Sequence, residues 1–583
     1  MDNQAIATIL DETASLLEIS GADSFRVRSY RRAAEAVEQT TQQMALLAVE
    51  ADAPNGLLAI PGIGKGMAAN ITDIVRTGKL AVREDLIAQF TPTMLELLRL
   101  PGMGPKTVML LWDAHKIGDV DALEVAAKAG LLNSLPRFGT RQVEKILKGI
   151  EEYRRNTGRF RIDEAGETAD RIARLIFEFP GIDQVTPAGS LRRGRETVGD
   201  LDLLVTGPAC EPDVVAAAVE HVASLPIISS LIAKGQNKVS FLMRNGLQVD
   251  VRLLPRSSYG AALQYFTGSK THNVAVRQRA LKLGYTLSEY SLARLDDNSV
   301  VAAETEEAIY AALGLDWIAP EMRENLGELE AAAAHTLPRL IEQADILGDV
   351  HAHTTATDGR NTIREMAEAA LARGYQYIAI TDHSKNLAMT NGLDDVRALE
   401  HIRRIQEVDH EMEGRIRVLP GIEVDILGDG ALDLSDDTLA QMDVVIASVH
   451  SLFNQPAEQM TERILRAVEN PHTRILGHPT GRLLLRRDPF AFDLDAVLKC
   501  CGELGVAVEH NAAPERLDLK DRDLRLAKEY GCRISINTDA HRLTDFDKMR
   551  YGIRQLRRAW LTPGDVINTL PVEQFRAALR PKP

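Results

Sequence analysis

Beyond residue 345, seven short apolar runs alternate with helix-forming segments: GDVHAHT, YQYIAITDH, IRVLPGIEVDI, DVVIASVHS, RILGHPTG, GVAVEHNA and CRISINTDAH. This alternation predicts parallel strands closed into an α/β barrel, because parallel neighbours need a helical crossover between them. Metal-ligand side chains stand at or just past the run ends: His351 and His353, Asp358 in the following loop, His383, Glu423, His450, His478, and Asp539 with His541. One histidine near a strand end is ordinarily structural. Six histidines and three carboxylates at the ends of one set of strands point instead to a site, since active sites assemble at the carboxyl face of such barrels. Nine ligands exceed what one ion takes, so two or three ions are expected, and mixed nitrogen and oxygen donors suit Zn²⁺, Mn²⁺ or Fe²⁺ better than Mg²⁺.

The first 150 residues carry a different repeat. AIPGIGKGMAANI (59–71) and RLPGMGPKTVMLL (99–111) each set Pro-Gly-apolar-Gly before an amphipathic helix, and SLPRFGTRQVEKI (134–146) is a third copy with Arg137 in place of the first glycine. Glycines at such a turn let backbone N–H groups converge beside a helix start, where they hold a phosphate without reading a base. A plain helix-helix corner explains one copy less strainedly than it explains two good ones. The pair resembles the helix-hairpin-helix motif of DNA repair proteins, which makes Gly62, Gly64, Gly102 and Gly104 candidates for DNA backbone contact. Upstream, DSFRVRSYRRAAEAV (23–37) reads as a helix with arginines around Tyr30. Its ordinary explanation is a solvated basic face, and its place before the first turn makes Arg26 and Tyr30 candidates for a 5′-phosphate.

In the middle of the chain, VTPAGSLRRGRETVGDLDLLVTG (185–207) places Asp200 and Asp202 two residues apart in an apolar strand, hence on one face. GLQVDVRLL (246–254) offers Asp250 in another apolar strand. Three carboxylates suit Mg²⁺, which takes oxygen ligands and keeps room for water and phosphate. A lone DxD is more often a strand-end turn, but here Gly189-Ser190 precedes it by ten residues.

GSLRR…GDLD, QVDVR and YGAALQYFTGSKTHNVAVRQRA (259–280) resemble the palm and thumb of family X DNA polymerases. The resemblance covers about residues 1–318 and implies phosphoryl transfer with two Mg²⁺ (or Mn²⁺) ions on Asp200, Asp202 and Asp250. It further implies that Ser190 and Arg193 bind the triphosphate of an incoming dNTP, and that Tyr265 and Phe266 pack at its sugar. Gly268 would give it backbone clearance, Asn273 would reach the base edge, and Arg277 would lie in the minor groove of DNA. There is one departure. Family members with 5′-deoxyribose-phosphate lyase activity use a lysine where this chain has Asn70, and Gly66 occupies another usual lysine site; neither offers an amine for a Schiff base.

HAHTTATDG, ITDHS, GIEVDI, SVHS, GHPTGR and NTDAH together resemble the PHP (polymerase and histidinol phosphatase) domain over about residues 346–575. The resemblance implies a distorted barrel that hydrolyses phosphoesters on a metal cluster, with Arg482 a candidate for stabilising the developing charge and Glu509 a support behind the ligands.

The expected architecture is multidomain, α+β and α/β. It has helical helix-hairpin-helix domains at 1–85 and 86–155, a nucleotidyltransferase-type palm at 156–256, and a thumb at 257–318. An acidic, alanine-rich linker follows at 319–345, then a distorted, TIM-like barrel of seven parallel strands at 346–583. The expected function is gap-filling DNA polymerisation in repair, with the barrel a 3′–5′ exonuclease or phosphodiesterase, its action at abasic sites left open. The alternatives are a small-molecule phosphatase joined to a degenerate polymerase, and a non-enzymatic DNA-end scaffold. Net charge is −15, which excludes bulk attraction to a polyanion, although residues 231–290 hold nine Lys/Arg against Asp250 and Glu289. Phosphate contact would therefore be local, favouring gapped or nicked DNA with a 5′-phosphate. With four cysteines, no CxxC pair and no long apolar run, the expected setting is reducing and cytoplasmic, bacterial-type and nucleoid-associated. No membrane partner is expected, and the protein is expected to be monomeric.

Overall fold

The computed structural model describes residues 3–39, 44–48, 53–60, 62–91, 93–98, 100, 103–136, 138–156, 158–387 and 390–579. The chain divides into two compact units, residues 1–157 and 158–583.

The first unit is helical. Its core gathers the apolar faces of Asn3–Ile19, Ser24–Gln39, Lys65–Thr77, Pro105–His115 and Thr140–Asn156. The three copies of the sequence repeat take the same local form. Ile63 N–H bonds the carbonyl of Ile60, Met103 that of Leu100, and Phe138 that of Leu135. The helix after each turn then starts on a glycine carbonyl, with Ala68 bonding Gly64, Val108 bonding Gly104 and Val143 bonding Gly139. In each, the apolar residue before the helix-starting glycine is buried (Ile63, Met103, Phe138) while that glycine stays at the surface.

The second unit begins with a five-stranded mixed sheet in the order Gln184–Pro187, Asp200–Thr206, Gln248–Leu253, Lys238–Met243, Ile228–Lys234. Leu201, Leu203 and Val205 alternate into the core beneath helices Ile162–Phe177 and Val215–Ala223. Helices Arg256–Thr267 and Lys270–Lys282, a three-stranded antiparallel sheet and helix Glu306–Ala312 follow around a second core.

Residues 319–345, expected as a linker, are in good part packed structure. Arg323 and Glu328 are fully buried, and Met322, Leu329 and Ala332 join the thumb core. The cause is ionic. Arg192 donates two bonds of 2.8 Å to Glu306, and Arg323 adds a third at 2.6 Å. Burial alone would raise the Glu306 carboxyl, but the two guanidinium groups hold it down at about 2.

The barrel is a seven-stranded, all-parallel sheet in sequential order: Gly348–Asp349, Tyr377–Ile380, Arg417–Asp425, Val444–Ser448, Ile475–Leu476, Ala507–Asn511 and Ile534–Asn537. Its ends meet at a parallel bridge between Ala352 and Ala540, where His353 N–H bonds the carbonyl of Ala540 at 2.8 Å. Among the described residues no helix is long and apolar enough to cross a membrane.

Candidate metal centres and nucleotide site

The barrel brings all nine expected ligands together. His353, Asp358, His383 and His541 form one group of donor atoms within 4.8 Å of one another; His351, His353 and Asp539 form a second, and His383, Glu423 and His450 a third. His478 joins through Nε2, 2.9 Å from Glu423. Two ligands adopt left-handed backbone, His478 (φ +23°) and Asp539 (φ +53°), a conformation that costs free energy and is kept where neighbours enforce it.

A second layer aims the rings. His351 Nδ1 lies 2.7 Å from Glu509, which also accepts from His478 N–H at 2.6 Å and from Asn537 at 2.9 Å. His450 Nδ1 lies 2.5 Å from Asp425. Each such bond leaves the opposite ring nitrogen for the cluster. Asp382 accepts from Thr354, Thr357 and His401, fixing the loop that carries His353 and Asp358.

The charges interlock. Glu423 is buried, which opposes ionisation, yet His450, His351 and His383 hold it well below the usual carboxylate range. In turn His383 is lifted to about 10 by Glu423 and Asp358 against the cost of burial. His353 is pushed down to about 4, by burial first and then by His541 and His383. His351 Nε2, both nitrogens of His353 and His478 Nδ1 are buried without a hydrogen-bond partner. Orphaned buried nitrogens are expensive, and bound cations would satisfy them. The donor set therefore fits metal ions.

Arg482, expected beside this cluster, is engaged elsewhere. Its guanidinium pairs with Glu196 of the palm at 2.8 Å and donates to the carbonyl of Leu517. The guanidinium that reaches a ligand is that of Arg516, with Nε 3.7 Å from Asp539.

The palm holds a sparser centre. Strands Asp200–Thr206 and Gln248–Leu253 run parallel with Asp202 opposite Asp250, so the alternation that puts Asp200 beside Asp202 adds Asp250 to the same face. Asp202 is raised to about 6, by burial and then by the charges of Asp200 and Asp250. Asp250 moves the other way: burial raises it, but bonds from Lys238 (2.8 Å) and Ser240 more than offset that. A Cβ on Gly189 would come within 2.7 Å of Asp202, so this glycine leaves clearance for the carboxylate. Converging acids that push one of their number toward protonation suit divalent cations.

Beside this centre Tyr265 and Phe266 pack edge to face at 4.9 Å, with Arg277 over Tyr265 and Arg252 over Phe266. Arg193 Nη1 donates to the carbonyl of Thr267 at 2.5 Å, next to Gly268, whose φ is +67°. Asn273 is held between Gln264 and the carbonyl of Tyr265. Ser190 sits in the single helical turn Gly189–Arg192.

In the helical unit, Gly62 (φ +96°), Gly64 and Gly104 lie at the surface, and Gly64 and Gly104 are helix N-caps with no side-chain cap. Gly102 lies outside the described residues. Arg26 is exposed. Tyr30 is a correction: its ring is 3% exposed in the core and its hydroxyl accepts from Asn70 at 2.9 Å, so it does not stand on the exposed basic face with Arg26.

Sequence reading missed Asp382, Asp425 and Arg516. For Asp425 a signal existed, since it sits two residues after Glu423 in GIEVDI, on the same strand face.

Known proteins match along the whole chain. Family descriptions fit at residues 1–80 (helix-hairpin-helix domain), 94–152 (SAM-like helix-hairpin-helix tandem), 262–324 (DNA polymerase beta thumb) and 349–513 (PHP domain). A probable phosphatase of Thermoanaerobacter sp. (strain X514) is 29% identical over 232 residues, 38% of this chain and 89% of that protein. A solved Leishmania infantum polymerase beta, a ternary P/T complex, aligns with 40% of this chain and 98% of that one, at 25% identity and a TM-score of 0.28. The DNA polymerase/3′-5′ exonuclease PolX of Bacillus subtilis (strain 168) is 37% identical over 582 residues, 100% of both chains. An alignment that runs through the hairpin turns, the palm carboxylates and the barrel ligands alike makes this chain a member of the PolX family of DNA polymerase/3′-5′ exonucleases.

Proposed function

We propose that this chain repairs DNA by filling short gaps at the palm and trimming 3′ ends at the barrel. The observation that carries the reading is that one chain builds two unlike acidic centres, an all-carboxylate one in the palm and an imidazole-rich one in the barrel. The chemistry that divalent cations supply at such centres is neutralisation of phosphate charge and acidification of a bound hydroxyl. By donor type, Asp200, Asp202 and Asp250 would take Mg²⁺ or Mn²⁺, and the barrel set Mn²⁺, Zn²⁺ or Fe²⁺.

The chain's own groups orient the substrates. Ser190 and Arg193 would hold the triphosphate of a dNTP, Arg193 exchanging Glu324, now 3.3 Å from its Nε, for phosphate. Tyr265 and Phe266 form a wall for the sugar, Gly268 admits its backbone contact, Asn273 meets the base edge and Arg277 the template duplex. In the barrel Glu509 fixes His351, and Arg516 rather than Arg482 would face a scissile phosphate beside Asp539. The exposed glycine turns and Arg26 would grip a 5′-phosphorylated end. Lyase chemistry is not part of the proposal, because Asn70 supplies no amine.

The test uses a gapped duplex labelled at its 3′ end. Asp200→Ala with Asp202→Ala should abolish extension and leave trimming intact; His351→Ala with His353→Ala should do the reverse. Loss of both activities in either variant would sink the two-centre reading.

A further inference from the structure

We propose that three side chains of the barrel, Arg554, Gln555 and Arg558, are positioning residues for nucleotide binding at the palm. The proposal rests on the reading of Ser190 and Arg193 as triphosphate ligands.

The palm turn that carries Ser190 and Arg193 is short. Only Gly189–Arg192 is helical, with Arg193 N–H reaching back to Gly189 at 3.2 Å and Arg195 to Ser190 at 3.0 Å. Such a turn leaves its last carbonyls short of partners of their own, although Leu191 also accepts from Gly194 N–H at 3.0 Å. One barrel helix, Met549–Arg558, supplies a donor to each of four consecutive carbonyls. Arg554 Nη2 donates to Leu191 at 2.5 Å and to Arg192 at 2.9 Å. Arg558 Nη1 donates to Arg193 at 2.8 Å, and Gln555 Nε2 to Gly194 at 2.7 Å.

The fit is close on the palm side as well. Gly194 has φ +70°, and a Cβ there would lie 3.3 Å from Cβ of Arg554. Arg558 also bonds Glu324 at 3.0 Å, the same carboxylate oxygen that Arg193 approaches at 3.3 Å. Arg558 thus holds the Arg193 carbonyl directly and shares the carboxylate that steadies its side chain. The opposite face of the helix, through Met549, Ile553 and Leu556, is buried in the barrel core. The clamp is therefore anchored in the barrel while its donors point into the palm. A turn held at four carbonyls presents its phosphate-binding groups in one arrangement, and preorganisation of that kind acts on ligand affinity more than on the chemical step.

The experiment uses the full chain. Arg558→Ala, Gln555→Leu, Arg558→Lys and Arg193→Ala are compared for KM and kcat of dNTP addition on a gapped duplex, for 3′-end trimming of a single strand, and for melting temperature. Arg558→Ala should raise KM for dNTP about tenfold, as expected when the Arg193 carbonyl loses its charge-assisted hydrogen bond. Its kcat and its trimming should stay close to the wild-type values, and Arg558→Lys should recover part of the loss. Should Arg558→Ala melt early, Gln555→Leu carries the test, with an expected KM rise of about threefold for one lost neutral bond. Unchanged KM in a variant of normal melting temperature, beside a raised KM in Arg193→Ala, overturns the positioning role alone. Unchanged KM in Arg193→Ala overturns the triphosphate reading on which it rests.

Discussion

The palm and the barrel solve opposite electrostatic problems. In the palm, three carboxylates face one another with Lys238 as the cation in ion-pair contact, and the strain appears as an Asp202 lifted to about 6. In the barrel, imidazoles stand between the acids, so Glu423 and Asp539 sink well below the usual range while His383 and His450 rise to about 10 and about 9. His351, His353, His383, Glu423 and His478 are buried there, and Glu509 and Asp425 hold the rings of His351 and His450 in place. On the proposed reading, the palm centre would be completed by what arrives with the substrate, and the barrel centre would keep its ions between turnovers. Polymerisation needs a centre that fills and empties; hydrolysis needs one that stands ready.

The largest expected effect would break this contrast outright. Glu423 lies within 3.6 Å of His351, His353, His383, His450 and His478. Glu423→Gln should lower 3′-end trimming about 10³-fold or more, by removing the charge that the cluster is organised around. Metal retained per chain after desalting should fall with it, while dNTP addition persists. Retained metal with lost trimming would mean that Glu423 serves the reaction and not the ions.

The second test asks whether the palm's openness extends to its foundations, where Glu306 is clamped by Arg192 and Arg323. Glu306→Gln should destabilise the second unit by roughly 3–5 kcal/mol at neutral pH, because it strands buried guanidinium charge. The Glu306 carboxyl is held at about 2 against an ordinary 4.5, a depressed value. Its stabilisation is therefore complete above pH 4.5 and lost as pH falls toward 2, so the denaturation midpoints of wild type and variant should converge across that window. A gap that stays constant over that range would show that the pair contributes by packing alone.

The smallest effect concerns Lys238. If it stands in for a cation at Asp250, Lys238→Met should lower the Mg²⁺ concentration for half-maximal extension by about two- to fivefold, the scale of a partly exposed ion pair. A rise instead would make Lys238 a phosphate ligand.

What could be read in advance follows a physical line. Ligand positions in the barrel were legible because strand ends recur with the same side-chain chemistry, and Asp202 beside Asp250 was legible because alternation fixes a face. Partners distant in sequence were not. Nothing around Arg482 announces Glu196, 286 residues away, and nothing in an alanine-rich, acidic stretch announces that Arg323 and Glu328 bury themselves against Glu306 and His272. Tyr30 misled because a ring flanked by arginines on a helix looks outward-facing until the packing of Asn3–Ile19 against Ser24–Gln39 fixes which side is core.

The bridge between Ala352 and Ala540 has a consequence for how the protein is made. Its flanking residues, His351 and His353 on one side and Asp539 and His541 on the other, are first and last to be synthesised among the barrel's ligands. Folding during synthesis proceeds from the N-terminus, so the palm can form while the barrel's seam is still missing its second lip. Cations can take up their full set of donors only after His541 has emerged, and the palm turn at 190–193 waits longer still for Arg554, Gln555 and Arg558.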